Sequence, residues 1–162
     1  MTPAEPASGL GPVSPSGIET ALGDLVARLR DSAARRSPDL SLDALLDELA
    51  GRYPVAAASR RDRDGVAEGI AEVYGLDRAD LDVLMAAAAP DLDADIAKVV
   101  GLLRGAEQPA RVSWALALEL AGVDAVSSGA PERLGAASRL VRHGLIVVVG
   151  DRPRSLRDLV VP

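Results

Sequence analysis

Apolar side chains recur at helical spacing along most of the chain, most densely between residues 66 and 104. They form three successive sets, which predict three short amphipathic helices. Gly75 can take the left-handed conformation that ends the first helix, Asp77 is placed to cap the second, and Pro90 is expected to end it. The sets are Val66, Ile70, Val73 and Tyr74; Leu81, Leu84, Met85 and Ala88; and Leu92, Ile96, Val99, Val100 and Leu103.

The second of these helices is expected to lie at the centre of the domain. Leu81 and Leu84 share its apolar face, so we expect the two neighbouring helices to bury both. Truncating Leu84 to alanine would then cost about 2–5 kcal/mol, the range for buried leucines.

Four further helices are predicted from capping residues and apolar stripes. The first begins with a capping box at Ser16 and continues through Leu29, after which a polar segment is expected. Ser41 is placed to cap the next. The four predicted helices cover approximately residues 16–29, 41–51, 113–121 and 131–142.

The C-terminal residues predict a β-hairpin. Residues 145–149 are mostly β-branched and favour a strand, a turn follows at 150–153, and 156–161 can return as its partner. The sequence therefore predicts a mainly α fold, a bundle of about seven short helices that ends in a winged-helix-like hairpin. We expect residues 1–15 to be a flexible tail, 16–162 to be one domain, and about 112–162 to be its winged-helix-like segment.

Charge is distributed unevenly along the chain. The net charge is −6, but residues 129–162 carry six arginines and three acids, a net charge of +3. These arginines are the candidate contacts for a protein partner or for nucleic acid. Against DNA, the rest of the chain is acidic and this segment has no Asn, Gln or Lys to contact base edges. The candidates are Arg133, Arg139, Arg142, Arg152, Arg154 and Arg157.

Residue types that often act in catalysis or in cofactor binding are scarce. There is no cysteine, Lys98 is the only lysine and does not stand in a phosphate-binding loop, and His143 is the only histidine. We therefore expect no catalytic site and no cofactor, and a structural role for His143 at a helix end. Asp91, Asp93 and Asp95 resemble the start of a calcium loop, but its glycine and terminal glutamate are absent, so helix capping is the favoured interpretation and no metal is expected.

Two further features have a functional and a structural interpretation. Trp114 could stack on a ligand, but the scarcity of aromatic residues favours a role in the core. Arg60, Arg61 and Arg63 could form an anion site, but interleaved acids favour a solvated loop. No apolar run reaches the 18–20 residues of a membrane span, and the N-terminus lacks the pattern of a signal peptide. A soluble, cytoplasmic protein without membrane contact is expected.

Two segments resemble a known family. The sequence YGLDRADLDVLMAAAAPDLD, residues 74–93, and the ending RLVRHGLIVVVGDRPRSLRDLVVP, residues 139–162, resemble the N-terminal region of a group of bacterial AAA-type ATPases. In that family the ATPase core follows this region. The resemblance implies an accessory domain that recruits a protein partner or positions the ATPase ring. No catalytic residue is implied, because no position matches one.

The leading hypothesis is a non-catalytic, protein-binding accessory domain of an AAA-type ATPase, with that ATPase core among its partners. A DNA-binding winged helix is the alternative. Because the apolar residues stop abruptly at Val161, we expect the natural reading frame to continue past Pro162 towards a glycine-rich loop with GK[ST].

Overall fold

The computed structural model describes residues 17–36, 42–55, 66–106, 110–123, 135–151 and 153–162, with only the backbone at 66–68 and 154. Seven α-helices and one antiparallel hairpin lie within these ranges, which confirms the predicted fold class. They are α1 (Gly17–Arg36), α2 (Asp43–Arg52), α3 (Val66–Tyr74), α4 (Arg78–Leu92), α5 (Ala94–Leu103), α6 (Trp114–Leu120), α7 (Arg139–Arg142), β1 (Val147–Val149), a 3₁₀ turn (Arg154–Leu156) and β2 (Asp158–Val160).

The long helix α1 contacts five other helices, and α4 packs against α5 and α6. The core between them is filled almost entirely by aliphatic side chains and alanine, because the chain has no phenylalanine. Small residues let helix backbones approach closely. Among the described residues, the largest fully buried side chains are Leu29, Leu42, Leu46, Leu49, Ile96, Leu116, Leu118, Leu120, Leu140, Ile146 and Leu159.

The turn between α3 and α4 has the predicted geometry. Gly75 has a φ of 63°, which glycine adopts without strain. Asp77 accepts a hydrogen bond from the Asp80 amide at 2.9 Å, and the Asp80 carboxylate accepts one from the Asp77 amide at 3.2 Å, forming a capping box. The Ser113 hydroxyl likewise caps α6. The caps predicted at Ser16 and Ser41 lie outside the described residues.

Helix α1 extends about two turns beyond its predicted end at Leu29. The residues expected to be a polar connection, up to Arg36, are helical because Glu119 on α6 binds several of them. The Ser32 hydroxyl donates to Glu119 at 2.8 Å, Arg35 pairs with it at 3.1 Å, and Arg36 also binds it. Tertiary contacts therefore determine where this helix ends.

The burial of α4 differs from the prediction. Leu81 and Leu84 are only partly buried, and the fully buried face of α4 consists of Val83 and of Ala86, Ala87 and Ala89. Small side chains on that face let α4 lie close to α5 and α6, which leaves the larger side chains beside the contact. Pro90 also does not end the helix: α4 continues to Leu92, and the Asp93 amide donates to the Ala89 carbonyl at 2.9 Å.

The last helix is shorter than predicted. In the described part of the segment 131–142, only α7 is helical. It begins at Arg139 because Ser138 caps it by accepting a hydrogen bond from the Val141 amide at 3.2 Å. The hairpin that follows pairs Val148 with Leu159, and its strands are shorter than predicted. β2 is also bonded to the segment just before α6, where the Leu159 amide donates to the Val112 carbonyl at 2.9 Å. No described helix is long and apolar enough to cross a membrane.

Candidate functional site

An apolar groove of about 650 Å³ lies between α1, α3, α4 and the ends of the hairpin segment. Pockets of this size and polarity are typical of binding sites. Its walls come from four parts of the chain that are distant in sequence. The apolar lining includes Ile18, Ala21, Ile70, Ala71, Leu76, Leu81, Leu84, Met85, Ala88, Leu92, Leu145 and Val161.

The groove exists because α4 is apolar on two faces. One face, with Val83 and the alanines at 86 and 87, is buried in the core. The other, which includes Leu81, Leu84 and Met85, packs partly against the core and otherwise borders the groove. A helix that is apolar all round is normally buried all round, so a second apolar face left half-covered marks a place for another molecule.

Ion pairs form the polar edge of the groove, where α1 and α4 approach each other. Arg78 lies 3.1 Å from Asp82 and 3.5 Å from Asp24, and Arg28 lies 3.0 Å from Asp82. Arg28 also donates to the Leu120 carbonyl at 2.8 Å, which connects this edge to α6. These pairs hold the two walls together and leave the interior apolar.

The structure describes the side chains of three of the six predicted arginines. Arg139 is exposed, and its guanidinium donates to the Gly75 carbonyl. Arg142 is exposed on α7, whereas Arg157 is partly buried before β2. The side chains of the other three, Arg133, Arg152 and Arg154, lie outside the described residues.

The aspartates at 91, 93 and 95 are engaged with the protein itself. Asp91 pairs with Arg111 at 3.6 Å, and Asp95 pairs with Lys98 at 2.7 Å. Asp93 caps α5 by accepting from the Asp95 amide at 2.7 Å, which confirms the capping interpretation. Among the described residues, no cluster of three histidine, cysteine or acidic side chains has the arrangement of a metal site.

The environment of Asp93 changes the acidity of several groups. Burial alone would raise the pKa of Asp93, but hydrogen bonds from the Asp95 amide, the Tyr53 hydroxyl and Arg52 lower it overall. The bond to Lys98 holds the pKa of Asp95 below its ordinary value. Burial and the neighbouring Asp93 carboxylate raise the pKa of the Tyr53 phenol. These shifts arise from the hydrogen bonds and ion pairs that join α2 to α5 and that Asp95 makes with Lys98 within α5.

Two other candidates have structural positions. Trp114 is buried in the core, which confirms the interpretation favoured from composition. His143 ends α7, and its ring centroid lies 5.3 Å from that of Tyr74 on α3. The arginines at 60, 61 and 63, considered as an anion site, lie outside the described residues.

The groove residues were not among the predicted site residues. Their spacing on α4 predicts a face that is buried in the core. The signal that could have identified the groove is the run VLMAAAA, residues 83–89, which places apolar side chains on every face of a helix.

Comparison with known proteins gives one family. A model described as "Winged helix domain, variant" matches residues 18–161. No curated protein and no solved structure matches the chain significantly. The match extends from the start of α1 to the end of the hairpin and so includes all the elements that line the groove. The chain belongs to this variant winged helix domain family.

Proposed function

We propose that this chain is a non-catalytic protein-binding domain whose groove receives an apolar helix from a partner protein. The observation that carries the proposal is the half-covered second face of α4, with Leu81, Leu84 and Met85 bordering about 650 Å³ of apolar space. A partner that removes this apolar surface from water gains about 25 cal/mol of binding free energy for each Å² of apolar area buried.

A helix fits this groove better than an extended strand does. The walls at Ala21, Ile70 and Leu84 lie inside helices, so their backbone amides and carbonyls are already bonded within α1, α3 and α4. An extended peptide would find no main-chain partners there and would leave its own polar groups unsatisfied. A helix satisfies its own backbone and presents only side chains. The lining of α4 from Leu81 to Leu92 is roughly 16 Å long, about three turns of a partner helix.

A helical peptide tests the proposal. A three-turn peptide with leucines at i, i+4 and i+7 and glutamines elsewhere should perturb the backbone amide resonances of Ile70, Leu84 and Leu145 when added to the isotope-labelled chain. Leu84→Glu should abolish these shifts. The matched control is Leu102→Glu, because Leu102 is exposed on α5 outside the groove. Shifts that survive Leu84→Glu would contradict the proposal.

We further propose that the domain serves an AAA-type ATPase, either by recruiting a protein to it or by positioning its ring. The support is the resemblance of residues 74–93 and 139–162 to the N-terminal region of such ATPases, and an ATP-driven partner would place the domain in the cytoplasm. The chain alone should release no phosphate from ATP. Mixing it with an AAA-type core encoded beside it should yield a complex on size-exclusion chromatography, and separate elution would contradict this assignment.

DNA binding is the second candidate, and membership of a winged helix family favours it. The charges are less favourable. The net charge of −6 opposes binding to a polyanion, and the Arg139 guanidinium already donates to a carbonyl of the protein. Protein binding is therefore the function we favour.

A further inference from the structure

We infer that Arg139 and His143, at the two ends of α7, are positioning residues for the groove. They hold the wall formed by Gly144 and Leu145 against the turn between α3 and α4. Because the groove is itself the proposed binding site, this role rests on the proposed function. Neither Arg139 nor His143 is among the described residues that line the groove, so both act on it from outside.

The two side chains contact the same place on α3. Arg139 begins α7 and His143 follows its last residue, so the two lie four residues apart on one side of this single turn. The Arg139 guanidinium donates to the Gly75 carbonyl, and the His143 ring centroid lies 5.3 Å from that of Tyr74. Tyr74 is the last residue of α3, where the helix dipole favours a nearby cation. Both contacts therefore join α7 to the C-terminal end of α3.

These contacts lie next to the groove lining on both sides. Leu76 directly follows Gly75 and lines the groove. Across from it, the amide of Leu145, another lining residue, donates to the Leu140 carbonyl at 2.9 Å, and Leu140 directly follows Arg139. The bond from Arg139 to Gly75 therefore connects the two walls close to Leu76 and Leu145.

Arg139 and His143 are needed because α7 is too short to hold its own position. It has only four residues, and an isolated helix of that length is unstable. Leu140 is fully buried and anchors α7 in the core, and Ile146 anchors the start of the hairpin. Between these anchors, Leu145 is only partly buried. Without the contacts to α3, we expect α7 to rotate about Leu140 and the wall at Leu145 to become less ordered.

Peptide affinity tests this role. A fluorescent three-turn peptide with leucines at i, i+4 and i+7 and glutamines elsewhere reports binding to the full chain by fluorescence anisotropy. Arg139→Ala should weaken binding about threefold to tenfold, an effect typical of a residue that acts on a binding site without contacting the ligand. Arg139→Lys should restore most of the affinity, because its ammonium can still donate to the Gly75 carbonyl.

Arg142→Ala is the matched control. It removes the same charge from the same helix, and Arg142 is exposed on α7. In the described part of the chain, the guanidinium bonded to the end of α3 is that of Arg139. We therefore expect Arg142→Ala to bind the peptide as the parent chain does. Cooperative unfolding of each variant in urea shows that it is folded.

A second measurement, made without peptide, reports the order of the wall directly. In ¹⁵N relaxation, the order parameters of the Gly144 and Leu145 amides should fall from about 0.85 towards 0.6 in Arg139→Ala. They should stay high in Arg142→Ala. His143→Ala should change them in the same direction as Arg139→Ala.

The outcomes separate this role from the groove function. A parent chain that does not bind the peptide would overturn the groove function itself. If the peptide binds and Arg139→Ala leaves its affinity as unchanged as Arg142→Ala does, Arg139 is not a positioning residue and the groove function stands. Weaker binding to Arg139→Ala with unchanged order parameters would mean that Arg139 contacts the peptide directly, which also overturns the positioning role.

Discussion

Arg52 and Asp93 join the end of α2 to the start of α5 through one carboxylate. Arg52 Nη1 lies 2.6 Å from Asp93 Oδ2, which also accepts a hydrogen bond from the Tyr53 hydroxyl at 2.9 Å. Asp93 Oδ1 caps α5 by accepting from the amides of Asp95 and Ile96. Both oxygens of a nearly buried side chain are therefore engaged, so one residue orients two helices.

Replacing Asp93 by alanine should destabilise the domain. The change removes a helix cap and leaves the Tyr53 hydroxyl and Arg52 without their acceptor, at a cost of about 1–3 kcal/mol in the free energy of unfolding. Urea denaturation measures it. Asp91→Ala is the matched control, because that side chain is half-exposed and its pair with Arg111 is 3.6 Å long, so we expect a change within about 0.5 kcal/mol. Equal effects of the two substitutions would contradict the cap.

Acid should lower the stability of the domain by protonating Asp93 and Glu119. Burial opposes ionisation of Asp93 and Glu119, but their hydrogen bonds from amides, arginines and hydroxyls lower both pKa values. A carboxylate whose folded pKa lies below its unfolded value, about 4 for these groups, stabilises the fold fully above that pH. This contribution is lost as the pH falls through the folded pKa. The free energy of unfolding should therefore decrease as the pH falls below about 4. In the double variant Asp93→Asn, Glu119→Gln, the free energy of unfolding should depend less steeply on pH in this range. An equally steep pH dependence in the variant would contradict the assignment.

Alanine substitution at two helical glycines should change the stability of the domain in opposite directions. In α1, a Cβ on Gly23 would lie 2.9 Å from the Pro54 carbonyl oxygen and 3.0 Å from that of Tyr53, so the backbone after α2 would have to move. Gly23→Ala should therefore destabilise the domain. In α3, Gly69 has open space around that position, and Gly69→Ala should stabilise by about 0.5–1 kcal/mol through helix propensity. Thermal melts should show a lower melting temperature for Gly23→Ala and a higher one for Gly69→Ala. A higher melting temperature for Gly23→Ala would mean that α1 and the segment after α2 lie further apart than in the structure.

Leu84 should contribute less to stability than its spacing predicts. Since it borders the groove and is only partly buried, Leu84→Ala should cost about 1 kcal/mol, not the 2–5 expected for a core leucine. Ile96→Ala is the reference, because Ile96 is fully buried on α5 and should cost about 2–5 kcal/mol. Chemical denaturation compares them, and equal costs would mean that Leu84 is a core residue.

Local rules in the sequence predict much of this fold. The Asp77–Asp80 capping box, the left-handed Gly75 and the Ser113 cap each depend on neighbours within a few residues, so their patterns are sufficient. Contacts between distant segments decide the rest. The length of α1 depends on Glu119, 83 residues beyond Arg36, and the orientation of α4 depends on how closely its alanines approach α5 and α6. The groove follows from that orientation, so spacing alone could not distinguish its lining from the core.

The arginines at 139, 142, 152 and 154 should contribute little to binding duplex DNA. Arg139 donates to the Gly75 carbonyl, and the chain has a net charge of −6, which opposes binding to a polyanion. Titration of a labelled duplex at 0.15 M salt should give dissociation constants no tighter than about 10⁻⁶ M, and replacing all four arginines by glutamate should alter them little. Nanomolar binding that weakens with salt by a log–log slope near −0.9 per phosphate, and that disappears in the glutamate variant, would make DNA the partner. The groove variant Leu84→Glu provides the matched comparison, because it should abolish helix binding and leave any affinity for DNA unchanged.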